Sequence, residues 1–187
     1  MQRNDLLVWV DLEMTSITDV LVDRITEIAV VLTDKDLNIV AELPGIVIHT
    51  EPDFYDSRIE SEVAKGFPRP EALIAAAAAS TTTMEEAEEQ VLAFIKEHIA
   101  ENSAPLCGNS IHADRHFLKL QMRQFEQYLF YRIIDVSSVK ELARRWAPEV
   151  YEEAKRRKGV KPHRATDDIK NSIAELAFYR ETFFKIP

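Results

Sequence analysis

The first fifty residues contain three runs rich in apolar and β-branched side chains, and these runs constrain the fold most strongly. They are residues 6–11 (LLVWVD), 24–33 (RITEIAVVLT) and 37–50 (LNIVAELPGIVIHT). Such runs between polar segments are typical of β-strands. Only the polar segment 34–36 separates the second run from the third, which favours antiparallel pairing, because parallel strands need a long crossover. The sequence therefore predicts three neighbouring, antiparallel strands.

The rest of the chain alternates between helical and extended patterns. Thr83 and Glu86 match a capping box, and helically spaced apolar residues follow them. Further on, the sequence predicts a strand at 104–109, a helix at 112–129, a strand at 133–136, a helix capped by Ser137 that ends before Pro148, and a last helix at 165–183. Prolines interrupt residues 51–83, which we leave unassigned. This order indicates an α/β protein with a mixed central sheet flanked by helices.

Composition narrows the class of protein. The chain has 187 residues, 46% of them hydrophobic, and no segment that resembles a linker, so we expect residues 1–187 to form a single domain. A single cysteine, Cys107, excludes an internal disulfide framework and favours a reducing compartment, the cytoplasm. We expect no signal segment and no membrane span, since the longest apolar run, 73–79, is too short to cross a bilayer.

Charge is unevenly distributed along the chain. The formal net charge of −9 is poorly suited to long nucleic acid, which is usually bound through many Lys and Arg contacts to phosphate. Six basic residues nevertheless cluster near the C-terminus: Lys155, Arg156, Arg157, Lys158, Lys161 and Arg164. We interpret this cluster as a phosphate-attracting loop. A loop that is merely solvated is the alternative.

Two acids end the first predicted strand. Asp11 and Glu13 are two residues apart, so in a strand they face the same side, with Cα atoms about 6.5 Å apart. Two carboxylates at one spot repel each other, and a divalent cation such as Mg²⁺ or Mn²⁺ relieves that repulsion. The alternative is that both side chains lie past the strand end, in water.

Three more residues extend this pattern. Asp114 follows a predicted strand, and Asp168 lies in the first turn of the last helix, where Thr166 can act as the cap. Acids are stabilised in a first helical turn, so each could be a capping acid only. His163 lies five residues before Asp168, and a neutral imidazole is a suitable general base for water near pH 7. A surface histidine is the alternative.

The chain resembles the oligoribonuclease family, in the histidine-base branch of the DEDD exonuclease superfamily. The order DxE, a later Asp and His-x₄-Asp matches that branch. The longer blocks that carry the resemblance are WVDLEMT, DRITEIAVVLTD, ASTTTMEEAE, PLCGNSI, DRHFL, YRIIDVSSVKELARRWAP and HRATDDIKNSIAELAFYRETFF. They cover nearly the whole chain. The resemblance implies a ribonuclease H-like fold.

The resemblance also implies an activity. Asp11, Glu13, Asp114 and Asp168 would hold two divalent metal ions, Mg²⁺ or Mn²⁺, with His163 as the general base. The implied reaction is two-metal hydrolysis of very short RNA, from dinucleotides to about five nucleotides, in the 3′-to-5′ direction to 5′-mononucleotides. The family also implies a homodimer.

Substrate contacts follow from the same resemblance. Ile17 would insert between the two bases, where the family usually has leucine. Met14 and Thr15, in the same block, would also contact the substrate, although Met14 could equally fill the core. Polar residues would surround the 5′ phosphate: Ser110, Ser137 and Ser138, with Tyr131 and Arg132 from the partner subunit. Ser137 could also be a plain helix cap.

One segment departs from the family pattern. Residues 60–73 have neither the Trp nor the His that the family usually carries there. Pro68 stands near the missing histidine, and Phe67 or Arg69 are candidate substitutes. Two further classes stay open: a related exonuclease that trims longer RNA or DNA 3′ ends, and a binding protein that keeps the fold without the chemistry.

Overall fold

The computed structural model describes residues 2–64, 69–157 and 164–184, apart from the side chains of residues 61 and 62. Its five strands are β1 (Leu7–Met14), β2 (Ile25–Thr33), β3 (Ile39–Val47), β4 (Pro105–Gly108) and β5 (Phe130–Asp135). Its helices are α1 (Pro52–Ala64), α2 (Glu71–Ala79), α3 (Met84–His98), α4 (Ile111–Gln121), α5 (Arg123–Tyr128), α6 (Val136–Trp146), α7 (Pro148–Arg157) and α8 (Ala165–Thr182).

The strands form one mixed sheet in the order β3-β2-β1-β4-β5. β1, β2 and β3 pair antiparallel, which confirms the predicted arrangement, and β4 and β5 run parallel to β1. The fold class predicted from the sequence, a mixed sheet flanked by helices, is confirmed. No helix in the described ranges is long and apolar enough to cross a membrane.

The two faces of the sheet bury different side chains of β1. Val8, Val10 and Leu12 belong to a core cluster that includes residues of α3, α4 and α5. Trp9 points to the opposite face and packs with Ile169 of α8. All nine residues of β2 are buried, so both faces of this strand are covered. Because side chains alternate along β1, Asp11 and Glu13 share the Trp9 face, beneath α8.

Several local predictions are wrong at helix ends. The helix predicted at 112–129 is two helices, α4 and α5, because the chain leaves helical geometry at Met122. Asp135, rather than Ser137, caps α6: its carboxylate accepts a hydrogen bond from the Ser137 N–H. Arg164, rather than Thr166, occupies the N-cap position of α8. The predicted capping box of Thr83 and Glu86 is confirmed.

Two further predictions are corrected. Both tryptophans are large and apolar, and the sequence predicts them in the core. Trp9 is fully buried, but Trp146 is 70% exposed, because it ends α6 at the surface, where its ring lies 6.5 Å from the Phe183 ring. Lys155, Arg156 and Arg157 lie in the last turn of α7 rather than in a loop. Lys158 and Lys161 lie outside the described residues.

Candidate active site

The candidate site lies where β1, β4 and β5 reach their carboxyl ends. These three strands are parallel to one another, so their ends meet at one edge of the sheet. β1 ends in Glu13 and Met14, α4 begins just after β4, and α6 begins directly after β5. This edge is where open α/β sheets usually bind ligands.

Three predicted acids meet at the end of β1. Oxygen atoms of Asp11, Glu13 and Asp168 all lie within 4.8 Å of one another. The alternation of β1 turns the first two toward α8, and the first turn of α8 brings the third to them. Chain segments more than 150 residues apart in sequence therefore form one acidic cluster.

Asp114 lies beside this cluster, on the first turn of α4. Its Oδ1 accepts a hydrogen bond from the Leu12 N–H at 3.0 Å, between the two acids of β1. The residue is 7% exposed. Burial raises the pKa of Asp114 to about 7, although the Leu12 N–H acts in the opposite direction.

Glu13 has a similarly raised pKa, of about 7. Burial is the main cause, and the charges of Asp168, Glu27 and Asp114 add to it. The carboxylates thus disfavour one another's ionisation, while Arg164 acts in the opposite direction on Glu13. A bound divalent cation would relieve this repulsion.

Glu27 is a buried acid that the sequence reading missed. It lies opposite Glu13 in the β1–β2 register and is 1% exposed. Arg164, one residue past His163, donates to its Oε1 at 3.2 Å. A Cβ atom at Gly45 of β3 would collide with the Glu27 carboxylate, so this glycine makes room for it. The available signal was a charged residue inside the apolar run RITEIAVVLT.

The acidic cluster fits a divalent metal ion. Two oxygens bound to one Mg²⁺ lie about 3–4 Å apart, close to the separations at Asp11, Glu13 and Asp168. Carboxylate oxygens are the ligands that Mg²⁺ and Mn²⁺ prefer. Asp114 and Glu27 add negative charge around the three. His163, the predicted base, lies outside the described residues.

The β1–β2 loop, residues 15–24, carries the predicted base contacts. Ile17 is 67% exposed and free to meet a ligand, whereas Met14 packs partly against the core. Thr15 is buried, and its hydroxyl donates to Asp23 and accepts from the Arg24 N–H. The Thr15 hydroxyl is therefore engaged within the loop, and the contact of Thr15 with substrate stays a prediction.

The predicted phosphate residues meet at the ends of β4 and β5. The hydroxyls of Ser110 and Ser137 are 3.0 Å apart, and Ser110 has the left-handed φ of 53°. Ser137 and Ser138 line a cavity of about 480 Å³ together with His112, Asp135, Glu141, Leu142 and Arg145. Two acids, Asp135 and Glu141, belong to this lining, and Arg145 is paired with Glu141, so little basic charge is available to a phosphate here.

Asp135 holds these serines in place, a role that the sequence reading also missed. Its Oδ1 accepts hydrogen bonds from the Ser110 and Ser137 N–H groups, each at 2.9 Å. The Ser137 hydroxyl is engaged as well: it accepts from the Ser110 N–H at 2.8 Å and donates to the Asn109 Oδ1 at 3.2 Å. The side chain of Asp135 also lies 3.3 Å from His112.

Tyr131 and Arg132 lie on β5, an edge strand, and both are exposed. The Arg132 Nε donates to the Tyr131 hydroxyl at 3.0 Å, which holds the two side chains together. Their placement on an open edge is compatible with a role toward a second subunit.

The divergent segment contributes one described candidate. Arg69 forms ion pairs with Asp56 and, at 2.9 Å, with Glu71. The Arg69 guanidinium is therefore engaged by two acids, Asp56 of α1 and Glu71 of α2. Phe67 and Pro68 lie outside the described residues.

Comparison with known proteins agrees with this site. The family model described as RNase_T: Exonuclease matches residues 8–176, so the chain is of the exonuclease class. The chain is 47% identical over 179 residues to "Oligoribonuclease, mitochondrial" of Bos taurus, covering 96% of this chain and 73% of the relative. It is 47% identical to the "Oligoribonuclease" of Shewanella loihica, covering 96% of both chains. The chain belongs to the oligoribonuclease family.

Solved structures support the fold independently. The zinc-bound complex of Escherichia coli exonuclease I with single-stranded DNA matches with a TM-score of 0.68 at 13% identity. That match covers 95% of this chain but only 41% of the exonuclease I chain. The chain thus corresponds to less than half of that larger protein.

Proposed function

We propose that the protein is a 3′-to-5′ exoribonuclease that degrades very short RNA, from dinucleotides to about five nucleotides, to 5′-mononucleotides. The observation that carries the proposal is the convergence of Asp11, Glu13 and Asp168 at the carboxyl edge of the sheet. Membership of the oligoribonuclease family supports the same activity.

The proposed cofactor is a pair of divalent metal ions, Mg²⁺ or Mn²⁺. Asp11, Glu13, Asp114 and Asp168 would hold them. When bound, such ions activate a water and stabilise the leaving oxygen of a phosphodiester. His163 would act as the general base for the attacking water. Arg164, beside it in sequence, is anchored to Glu27 on β2.

Short substrates fit the proposed binding residues. Ile17 contacts the bases beside Met14, while Ser110, Ser137 and Ser138 surround the 5′ phosphate. Were these serines to close around the 5′ phosphate, a longer chain would have no path through the site. The net charge of −9 is compatible with a substrate of one or two phosphates but not with a long one.

We also propose a homodimer in which Tyr131 and Arg132 reach the substrate of the partner subunit. β5 is an edge strand, and apolar side chains are exposed on it and near it: Tyr131, Ile133, Leu142, Trp146 and Phe184. Unpaired strand edges and exposed apolar residues are both features of protein interfaces. Sedimentation at several concentrations tests the dimer.

The remaining parts of the proposal concern organisation and compartment. Residues 1–187 would form a single exonuclease domain, and the protein would work in the cytoplasm without a membrane. The single buried Cys107 supports a reducing compartment. Because some relatives are named mitochondrial, cell fractionation is the appropriate test.

One experiment tests the activity. A 5′-labelled RNA dinucleotide and a longer RNA of matched sequence are incubated with the protein in Mn²⁺ or in EDTA. We expect the dinucleotide to be cleaved much faster, and no cleavage in EDTA. Equal rates on both lengths would instead favour an exonuclease for longer ends, and no cleavage of either would favour a binding protein.

A matched pair of variants tests the acids. Asp168→Asn removes a member of the cluster, whereas Asp167→Asn removes the same charge from an exposed position on the same helical turn. We expect the first variant to lose activity by at least about 100-fold and the second to keep it. Similar activities of the two variants would contradict the proposed metal site.

A further inference from the structure

The β1–β2 loop, residues 15–24, follows directly on the acidic cluster. Three of its apolar side chains are exposed: Ile17, Leu21 and Val22. Burial of these groups therefore cannot hold the loop in one shape. Val20 packs partly against the core, and the rest of the loop depends for its shape on hydrogen bonds and ion pairs within and beneath it.

Asp23 is the centre of those hydrogen bonds. Its side chain is 0% exposed. Its Oδ1 accepts from the Thr15 hydroxyl at 3.1 Å, and its Oδ2 accepts from the Asp19 N–H at 2.8 Å. One carboxylate thus links Thr15, the first residue of the loop, to Asp19 in its middle. Ile17 lies in the short segment between these two contacts.

Helices α1 and α4 fix Asp23 from outside the loop. Arg58 of α1 donates to both carboxylate oxygens, from Nε at 2.8 Å and from Nη2 at 3.3 Å. Gln121 at the end of α4 donates to the Asp23 carbonyl oxygen at 2.8 Å and accepts from the Ile25 N–H at 3.1 Å. A two-pronged Arg–carboxylate pair specifies orientation as well as proximity.

The charge on Asp23 depends on these partners. Burial acts to raise its pKa, but hydrogen bonds from Arg58, from the Asp19 N–H and from Thr15 outweigh burial, and the pKa is lowered. Asp23 is therefore a buried anion at neutral pH. A buried anion that loses its partner is strongly destabilised, so removing Arg58 should release the loop.

We propose that Asp23, held by Arg58, is a positioning residue that sets the loop so that Ile17 meets the bases of the substrate. This inference rests on the proposed function, because it assigns Ile17 to a base contact. It also gives α1 a part in substrate binding, through Arg58, which lies before the divergent segment 60–73. Arg58, rather than the ion-paired Arg69, is the α1–α2 arginine that reaches the loop.

Steady-state kinetics on an RNA dinucleotide tests the proposal with Asp23→Asn and Arg58→Met. We expect KM to rise at least about tenfold and kcat to change less than about threefold, since the loop orients the bases and not the acids. Arg58→Lys should recover part of the loss. Asp5→Asn is the matched control, because Asp5 also pairs with an arginine, Arg3, but lies at the opposite end of β1.

A double-mutant cycle separates positioning from general stability. If Asp23 acts through Ile17, Asp23→Asn should raise KM by less than about twofold in an Ile17→Ala background. A full, additive rise in that background, or an unchanged KM in folded Asp23→Asn, would overturn the proposal.

Amide hydrogen exchange tests the loop without relying on activity. In Asp23→Asn we expect the N–H groups of Asp19 and Arg24 to exchange at least about tenfold faster, with β2 unchanged. Unchanged exchange at both amides would overturn the positioning role. If wild type cleaves no dinucleotide while these amides do exchange faster, the proposed function fails but the loop anchor stands.

Discussion

Binding of divalent ions at the proposed site should depend strongly on pH near neutrality. Glu13 and Asp114 both have pKa values raised to about 7 in the absence of metal. A divalent ion binds only the ionised carboxylates, so binding must displace the protons. We therefore expect Mn²⁺ affinity to rise steeply between pH 6 and pH 8.

The size of this effect follows from the two pKa values. A group with a pKa of about 7 is roughly 10% ionised at pH 6 and roughly 90% ionised at pH 8. One such ligand changes the apparent affinity about tenfold over this range, and two independent ligands change it about 100-fold. At pH 7 each is half protonated, so binding should release about one proton in total.

Calorimetric titration of the metal-free protein with Mn²⁺ measures both quantities. Affinities at pH 6, 7 and 8 give the change of Mn²⁺ affinity with pH. Titrations in buffers with different ionisation heats give the number of protons released on binding. The Glu13→Gln variant should bind Mn²⁺ more weakly, and its affinity should change only about tenfold between pH 6 and pH 8. Glu89→Gln, an exposed acid on α3, is the matched control and should behave as wild type. An affinity that varies less than about threefold would refute the reasoning.

The stability of the metal-free protein should change with pH in the opposite direction to the Mn²⁺ affinity. Because the pKa of Glu13 is raised from an ordinary value near 4.5, its contribution to folding is fully present below pH 4.5 and is lost as pH rises through about 7. Full ionisation of Glu13 should lower the free energy of unfolding by about 3 kcal/mol. In EDTA the melting temperature should therefore fall between pH 5.5 and pH 8, and Mn²⁺ should restore it.

Three further predictions test other parts of the molecule. Glu27→Gln removes a charge that raises the pKa of Glu13, so the pH at which Mn²⁺ affinity rises should move down; an unmoved titration would contradict that coupling. Gly45→Ala should lower the free energy of unfolding by about 1–3 kcal/mol in urea titrations, because its Cβ collides with the Glu27 carboxylate; wild-type stability would argue against this contact. Ser137→Ala should raise KM about tenfold for a 5′-phosphorylated dinucleotide but not for its 5′-hydroxyl form; equal effects on both would remove Ser137 from phosphate binding.

Local patterns predicted the strands well and the helix ends poorly. Runs such as RITEIAVVLT predict a buried strand because both faces of β2 are covered and nearly every side chain must be apolar. The N-cap is the residue at which the backbone enters the helix. Several neighbouring polar residues can occupy that position, so residue type does not single one out. Asp135 therefore caps α6 two residues before Ser137, the residue that the sequence suggested.

The sequence predicted burial of both tryptophans, and the prediction is wrong for Trp146. Trp9 and Trp146 are both large and apolar, but only Trp9 lies on a strand between two layers, with its N–H donating to Thr33. Trp146 ends a helix at the surface. Residue type sets the preference for burial, whereas the position of the element in the fold decides the outcome.

The sequence by itself determined that Asp11 and Glu13 share one face at the end of a buried strand, because the alternation of a strand is a local property of two residues. Only the tertiary structure decided that α8 brings Asp168 to them, that Glu27 lies opposite Glu13, and that Arg58 anchors Asp23 beneath the loop. These contacts join residues far apart in sequence. They depend on strand register and helix packing, which no local pattern of side chains encodes.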